Sequence, residues 1–78
     1  MKFIGIGYGN MISVDRIVSV VSPDAAPIKR LVSDGRNDGR VIDASSGKAT
    51  KSVIICDSDH IVLSALSPDE IASEASAE

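Results

Sequence analysis

Apolar positions along this chain fall into short runs with two different periods, and the periods divide it into elements. Lys2 to Tyr8 alternates, with Ile4, Ile6 and Tyr8 on one side and Phe3, Gly5 and Gly7 on the other. That pattern predicts a strand with a flat, approachable glycine side. Gly9-Asn10 signals a turn. Met11 to Val21 is too rich in β-branched residues for a helix, and Ile17 to Val21 reads as a second strand. From Pro27 the period changes. Ile28, Leu31, Val32 and Gly35 recur at i, i+3, i+4 and i+7, one apolar helix face, with Pro27 as first helical residue and Gly39 as a left-handed stop. A glycine costs a helix about 1 kcal/mol relative to alanine. The use of Gly35 on the apolar face is therefore to let another backbone come close. Three more strands are predicted, Arg40 to Ala44, Thr50 to Cys56 and His60 to Leu66, separated by the turns Ser45–Lys48 and Asp57–Asp59. Ser67-Pro68-Asp69-Glu70 opens a last helix, with Ser as N-cap, Pro at N1 and Glu at N3. Ile71, Ala72 and Ala75 give that helix little apolar surface, and fraying is expected by Glu78.

The order β-β-α-β-β-β-α describes an α+β fold, one small domain over residues 1–78. The expectation is a mostly antiparallel sheet of four to five strands, a central helix, and a short C-terminal helix with an acidic tail over about 67–78. Its core is thin: 78 residues with one Phe, one Tyr and no Trp, against ten Ile and eight Val. A domain of this size buries only roughly 60% of the surface its unfolded chain exposes. Burial against copies of itself is the expected remedy, because the single Cys56 excludes an intrachain disulfide. The lone cysteine also fits a reducing compartment. The opening apolar run is broken by glycines, so no secretion signal is expected, and no uncharged run reaches the roughly 18 residues of a membrane span. The expected location is the cytoplasm.

Net charge of −3 conceals an asymmetry. Up to Cys56 the chain carries eight bases and five acids, net +3, and beyond it six acids and no base, net −6. Two readings stand: a polyanion partner for the basic part, or solvated surface charge with an acidic tail. In the central helix Lys29, Ser33 and Arg36 line a face about a right angle from the apolar one. Arg30 and Asp34, at i and i+4, are spaced to pair.

Candidate chemistry is sparse. Gly5-x-Gly7-x-Gly9 lacks dinucleotide spacing, lies inside a strand and is followed by another strand, so it does not predict nucleotide binding. Cys56-Asp57-Ser58-Asp59-His60 gathers four ligand types, but no second cluster completes a zinc site, and no distal Glu completes a calcium loop. The favoured reading is a hairpin turn in which both Asp side chains bond to backbone, with His60 an ordinary strand residue. No nucleophile is paired with a base and an orienting group, so an enzyme is not predicted; neither is a cofactor, a metal or a small-molecule substrate. What remains are the cations Arg16, Lys29, Arg30, Arg36, Arg40, Lys48 and Lys51, too few in one subunit for strong nucleic-acid binding. Repeated around a symmetric assembly, their phosphate contacts add.

The blocks IGYGN (6–10), SPDAAPIKR (22–30), DGRVIDA (38–44) and DSDHIVLSA (57–65) resemble, in order and spacing, the RemA family of bacterial extracellular-matrix regulators. The resemblance runs from about Phe3 through Pro68. It implies a transcriptional regulator that binds double-stranded DNA as a ring-like homo-oligomer and has no enzymatic activity. Arg16 matches a family arginine implicated in DNA binding, and Pro27 a proline that matters through structure at the helix start. The family turn usually reads Gly-Arg-Arg-Thr-Arg after a Tyr; here it is Gly47-Lys48-Ala49-Thr50-Lys51 after Ser46. Lysine keeps the point charge but loses the planar fork of arginine. Weaker, mostly sequence-tolerant binding through Arg16, Lys48 and Lys51 is therefore expected, dependent on avidity. Lys29, Arg30 and Arg36 would support it, and Pro27 and Gly35 would shape the subunit and its contacts. The alternative is a non-enzymatic oligomeric scaffold that recruits another protein through its acidic tail or helix face.

Overall fold

The computed structural model describes residues 2–76. Strand β1 (Phe3–Gly7) pairs antiparallel with β2 (Asn10–Ser13), and a single 3-10 turn (Val14–Arg16) leads into β3 (Ile17–Val21). Helix α1 (Ala26–Asn37) precedes β4 (Val41–Asp43), β5 (Ser52–Cys56) and β6 (Ile61–Ser64), and α2 (Pro68–Ser76) closes the order.

Six strands form two sheets, where one sheet of four to five strands was expected. β1 and β2 make a separate hairpin, and the main sheet has the order β3-β5-β6-β4. β2 was missed because Met11-Ile12-Ser13 is too short to show alternation by itself; its register comes from β1, with Ile4 opposite Ile12. β3–β5 and β5–β6 are antiparallel, and β4–β6 is parallel. α1 thus carries the chain from one edge of the sheet to the other, between two strands that run the same way.

Both faces of the sheet are covered. On one, Ile28, Leu31 and Val32 of α1 pack over Val53, Ile61 and Leu63. On the other, Ile4 and Ile6 of the hairpin and Ile71 of α2 pack over Ile54, Cys56 and Val62. Strands sandwiched in this way lose the polar half of their alternation. β6 accordingly reads Ile-Val-Leu-Ser and is buried throughout. Two buried serines stay satisfied: Ser52 Oγ donates to the Leu66 carbonyl at 2.6 Å and Ser64 Oγ to the Ile6 carbonyl at 2.7 Å. The second of these ties the hairpin to the main sheet.

Pro27 is the second helical residue, after Ala26, and Ala25 caps the helix without a side-chain hydrogen bond. The stop is as expected, with Gly39 at φ +72°. Gly35 is buried, but what comes close is side chain, not backbone. A Cβ there would lie 2.7 Å from Ile61 Cδ1 and 3.1 Å from Val41 Cγ2. Tyr8 does not continue the buried side of β1; it turns out to solvent in the hairpin turn at φ +55°. At α2 the expected capping box is present: Ser67 Oγ accepts from the Glu70 amide at 3.2 Å and Glu70 Oε1 from the Ser67 amide at 2.9 Å. The expected fraying by Glu78 lies outside the described residues.

Candidate nucleic-acid interface

The cations fall into two groups at opposite ends of β5. Arg16 ends the 3-10 turn, and its carbonyl accepts from the Asp57 amide at 2.9 Å, just past the C-terminal end of the strand. Lys51 immediately precedes the other end, its amide donating to the Ser64 carbonyl at 2.8 Å. From Lys51 to Asp57 is six residues of extended chain, about 20 Å at roughly 3.3 Å each. Within one protomer Arg16 therefore lies about the length of a strand from the Lys48–Lys51 turn.

The supporting helix cations lie on the lysine side. Lys29 and Arg36 line a groove with Thr50, which immediately precedes Lys51 in the β4–β5 turn. Ser46 and Gly47 hold left-handed φ values of +55° and +78°, and Lys48 donates its amide to the Ser45 carbonyl at 3.0 Å, so the turn closes before the lysines. Lys29, Arg36, Lys48 and Lys51 are exposed, and none forms an ion pair among the described residues. Two of them do act on nearby carboxyls. Ser45 holds the Asp43 carboxyl below its ordinary range by hydroxyl and amide bonds, with the Arg36 charge adding to them. The Ser67 amide and hydroxyl lower Glu70, and Lys51 contributes. Arg30 and Asp34 form no ion pair, contrary to their spacing. Two exposed long side chains gain too little from one contact to be held.

Arg16 and Arg40 each have an acid partner among the described residues. Arg16 Nη1 donates to Asp57 Oδ2 at 3.2 Å, not to its sequence neighbour Asp15. Arg40 spends both ends of its guanidinium, Nη1 on the Asp59 carbonyl and Nη2 on Asp38 Oδ2, each at 3.1 Å. Arg40 is thereby committed to holding the β5–β6 turn.

That turn differs from expectation in its bonding. The Asp57 side chain bonds Arg16, and Asp59 contributes its carbonyl and a left-handed φ of +68°. Ser58 Oγ lies 2.8 Å from His60 Nδ1, an exposed contact two residues apart in which no carboxylate orients the other ring nitrogen. Burial, and secondarily the Asp57 charge, push the Cys56 thiol up, the opposite of an activated nucleophile. Among the described residues no group of three His, Cys, Asp or Glu is placed to hold a metal ion. Among the described residues no helix is long and apolar enough to cross a membrane.

Beside Arg16 lies an open cleft of about 310 Å3, floored by Ile6, Cys56 and Val62 and flanked by Met11 and Ile42, two exposed apolar side chains. Asn10 braces it, donating from Nδ2 to the carbonyls of Gly7 at 3.0 Å and Ala44 at 3.3 Å. Sequence reading assigned neither this brace nor the Asp57 contact. Their partners lie 34 and 41 residues away, and no local spacing signals either.

Residues 3–74 match the family model described as RemA-like, extracellular matrix regulatory protein A-like. A protein of Geobacillus kaustophilus bearing the name "Putative regulatory protein" is 55% identical over 73 residues, covering 94% of this chain and 84% of its own. Similarly named proteins of Carboxydothermus hydrogenoformans and Desulfitobacterium hafniense are 54% identical over 72 residues and 51% over 77. They cover 92% and 99% of this chain, and 83% and 85% of their own lengths.

Proposed function

The chain belongs to the RemA-like family, and from that premise we propose that it is a cytoplasmic transcriptional regulator that binds double-stranded DNA as a ring-like homo-oligomer. The observation that carries this reading is the exposed cation group at the N-terminal end of β5. Lys29, Arg36, Lys48 and Lys51 present four charges around one groove and turn, free of ion pairs among the described residues. Arg16 supplies a second contact about 20 Å away along the strand. Both sheet edges, β3 and β4, are open to pair with or be covered by a neighbour. A closed symmetric assembly repeats each cation group once per subunit, so individually weak phosphate contacts sum.

Fluorescence anisotropy on a labelled duplex across a salt series tests the reading. Binding is expected to fall linearly in log affinity against log salt. Lys48→Ala/Lys51→Ala is expected to reduce that slope as well as the affinity, because each lost phosphate contact releases about one fewer counterion. Undiminished affinity in the double variant removes those residues from the interface. A monomer in sedimentation removes the additive mechanism.

One observation favours a second reading, a non-enzymatic scaffold for another protein. The cleft flanked by Met11 and Ile42 has an apolar floor, as protein-binding grooves do. It predicts no duplex binding even at low salt, with a protein partner recovered in pull-down.

A further inference from the structure

Arg16 and Asp57 are joined twice. The Asp57 amide donates to the Arg16 carbonyl at 2.9 Å, one step beyond the Ile17–Cys56 pair of the β3–β5 ladder. Arg16 Nη1 then donates to Asp57 Oδ2 at 3.2 Å. The backbone bond fixes the roots of the two side chains side by side, and the side-chain bond fixes the far end of the longer one. Asp57 is itself firmly placed, because Arg40 grips the same turn from its other side through the Asp59 carbonyl. An arginine side chain that is 66% exposed otherwise loses rotamer entropy when a ligand immobilises it. Asp57 occupies only Nη1 and leaves the remaining guanidinium donors free.

We infer that Asp57 is a positioning residue that pre-orders the Arg16 guanidinium for a phosphate. This rests on reading Arg16 as a DNA contact. The inference has a sign that simple electrostatics does not share. A carboxylate next to bound DNA repels it, so if Asp57 were only a negative charge, neutralising it would tighten binding. If it positions Arg16, neutralising it loosens binding.

The test is anisotropy on a labelled duplex with the full chain and Arg16→Ala, Asp57→Ala, Asp57→Asn and Arg16→Ala/Asp57→Ala, alongside thermal melts. Asp57→Ala is expected to weaken binding about two- to fivefold, the range set by an exposed ion pair. Asp57→Asn, whose side-chain carbonyl still accepts from Nη1, is expected to recover at least half of that loss, a rescue that a general effect on folding would not produce. The double variant is expected to bind like Arg16→Ala alone, because Asp57 acts only through Arg16. Tighter binding by Asp57→Ala, or an equal loss on the Arg16→Ala background, overturns the inference while leaving DNA binding intact. Where Asp57→Ala fails to fold, Asp57→Asn decides: binding tighter than wild type overturns the inference, and binding equal to or modestly below wild type supports it. Wild-type protein that shows no salt-dependent duplex binding overturns the DNA reading itself, and this inference with it.

Discussion

Gly35→Ala sets helix propensity directly against packing. The methyl group gains α1 about 1 kcal/mol of propensity. It also lands 2.7 Å from Ile61 Cδ1, about 1 Å short of ordinary carbon contact, and 3.1 Å from Val41 Cγ2. Val41 stands half-buried on an edge strand and can yield a few tenths of an ångström. Ile61 is 1% exposed on a strand paired on both sides, so its terminal methyl has nowhere to go. Overpacking of this kind costs about 1–3 kcal/mol. Packing wins, and the expected net loss is about 1 kcal/mol, a drop of roughly 4–8 °C in melting temperature for a domain this size. Ile61→Val removes the Cδ1 methyl itself, at a cost of about 0.5–1.5 kcal/mol by itself. On that background the obstruction is gone, and Gly35→Ala is expected to be neutral or stabilising. The four melts of the double-mutant cycle, followed by circular dichroism, give the coupling, expected at about 1 kcal/mol in favour of the double variant. Equal losses in the two backgrounds, or a rise in melting temperature for Gly35→Ala alone, would refute the steric argument.

Ser67→Ala removes the hydroxyl that accepts from the Glu70 amide, leaves the Ser67 amide bond to Glu70 Oε1, and is expected to cost about 1 kcal/mol, with hydrogen exchange accelerating in α2 before the sheet. Because Asp43 titrates below its ordinary value of 3.8 in the folded chain, it contributes stability above that value, and the contribution is lost as pH falls through the folded pKa. Ser45→Ala should flatten the acid limb of a stability-versus-pH profile, and an unchanged limb would count against the bond. Cys56 has the opposite sense: its folded pKa is raised above 9.0, so above that pH the unfolded chain releases a proton that the folded chain retains, and stability falls. Cys56→Ala should lessen that alkaline loss, and thiol alkylation of the wild type near neutral pH should keep pace with unfolding; fast labelling of the native protein would contradict the burial.

The elements with a local signature were legible in the chain. The α1 face shows in Ile28, Leu31 and Val32, its end in Gly39, and the start of α2 in Ser67 to Glu70, because each depends on residues within about one helical turn of each other. Strand existence was legible for β1, β3, β4, β5 and β6 from short apolar and β-branched runs. Strand partnership was not, and partnership is what separates one sheet from two. Nothing within Phe3 to Gly7 says that its partner is β2 alone; the hairpin meets the main sheet through side chains, as in the Ser64 Oγ bond to the Ile6 carbonyl, and not through a strand ladder. The parallel β4–β6 pair was equally hidden, since it follows from α1 crossing the whole sheet and not from anything in Val41 to Asp43.

The candidate interface was legible as a set of cations but not as an arrangement, for the same physical reason. Arg16, Lys48 and Lys51 share a sign and an exposure, and sequence shows both. Their placement depends on strand direction: β5 runs from the Lys51 end to the Arg16 end, and only the antiparallel β3–β5 register puts Arg16 beside Asp57. Packing of α1 on the sheet puts Lys29 and Arg36, ranked as support from their helix face, into the groove with Thr50 next to the lysine turn. Whether one duplex meets both groups depends on how neighbouring subunits are placed and on how the bound polymer lies along the subunit. A complex confined to one end of β5 would engage one group and leave the other idle. Salt slopes of Arg16→Ala and Lys48→Ala/Lys51→Ala therefore decide between these geometries: both groups reduce the slope if both meet phosphate, and a slope sensitive to only one of them assigns the interface to that end of β5.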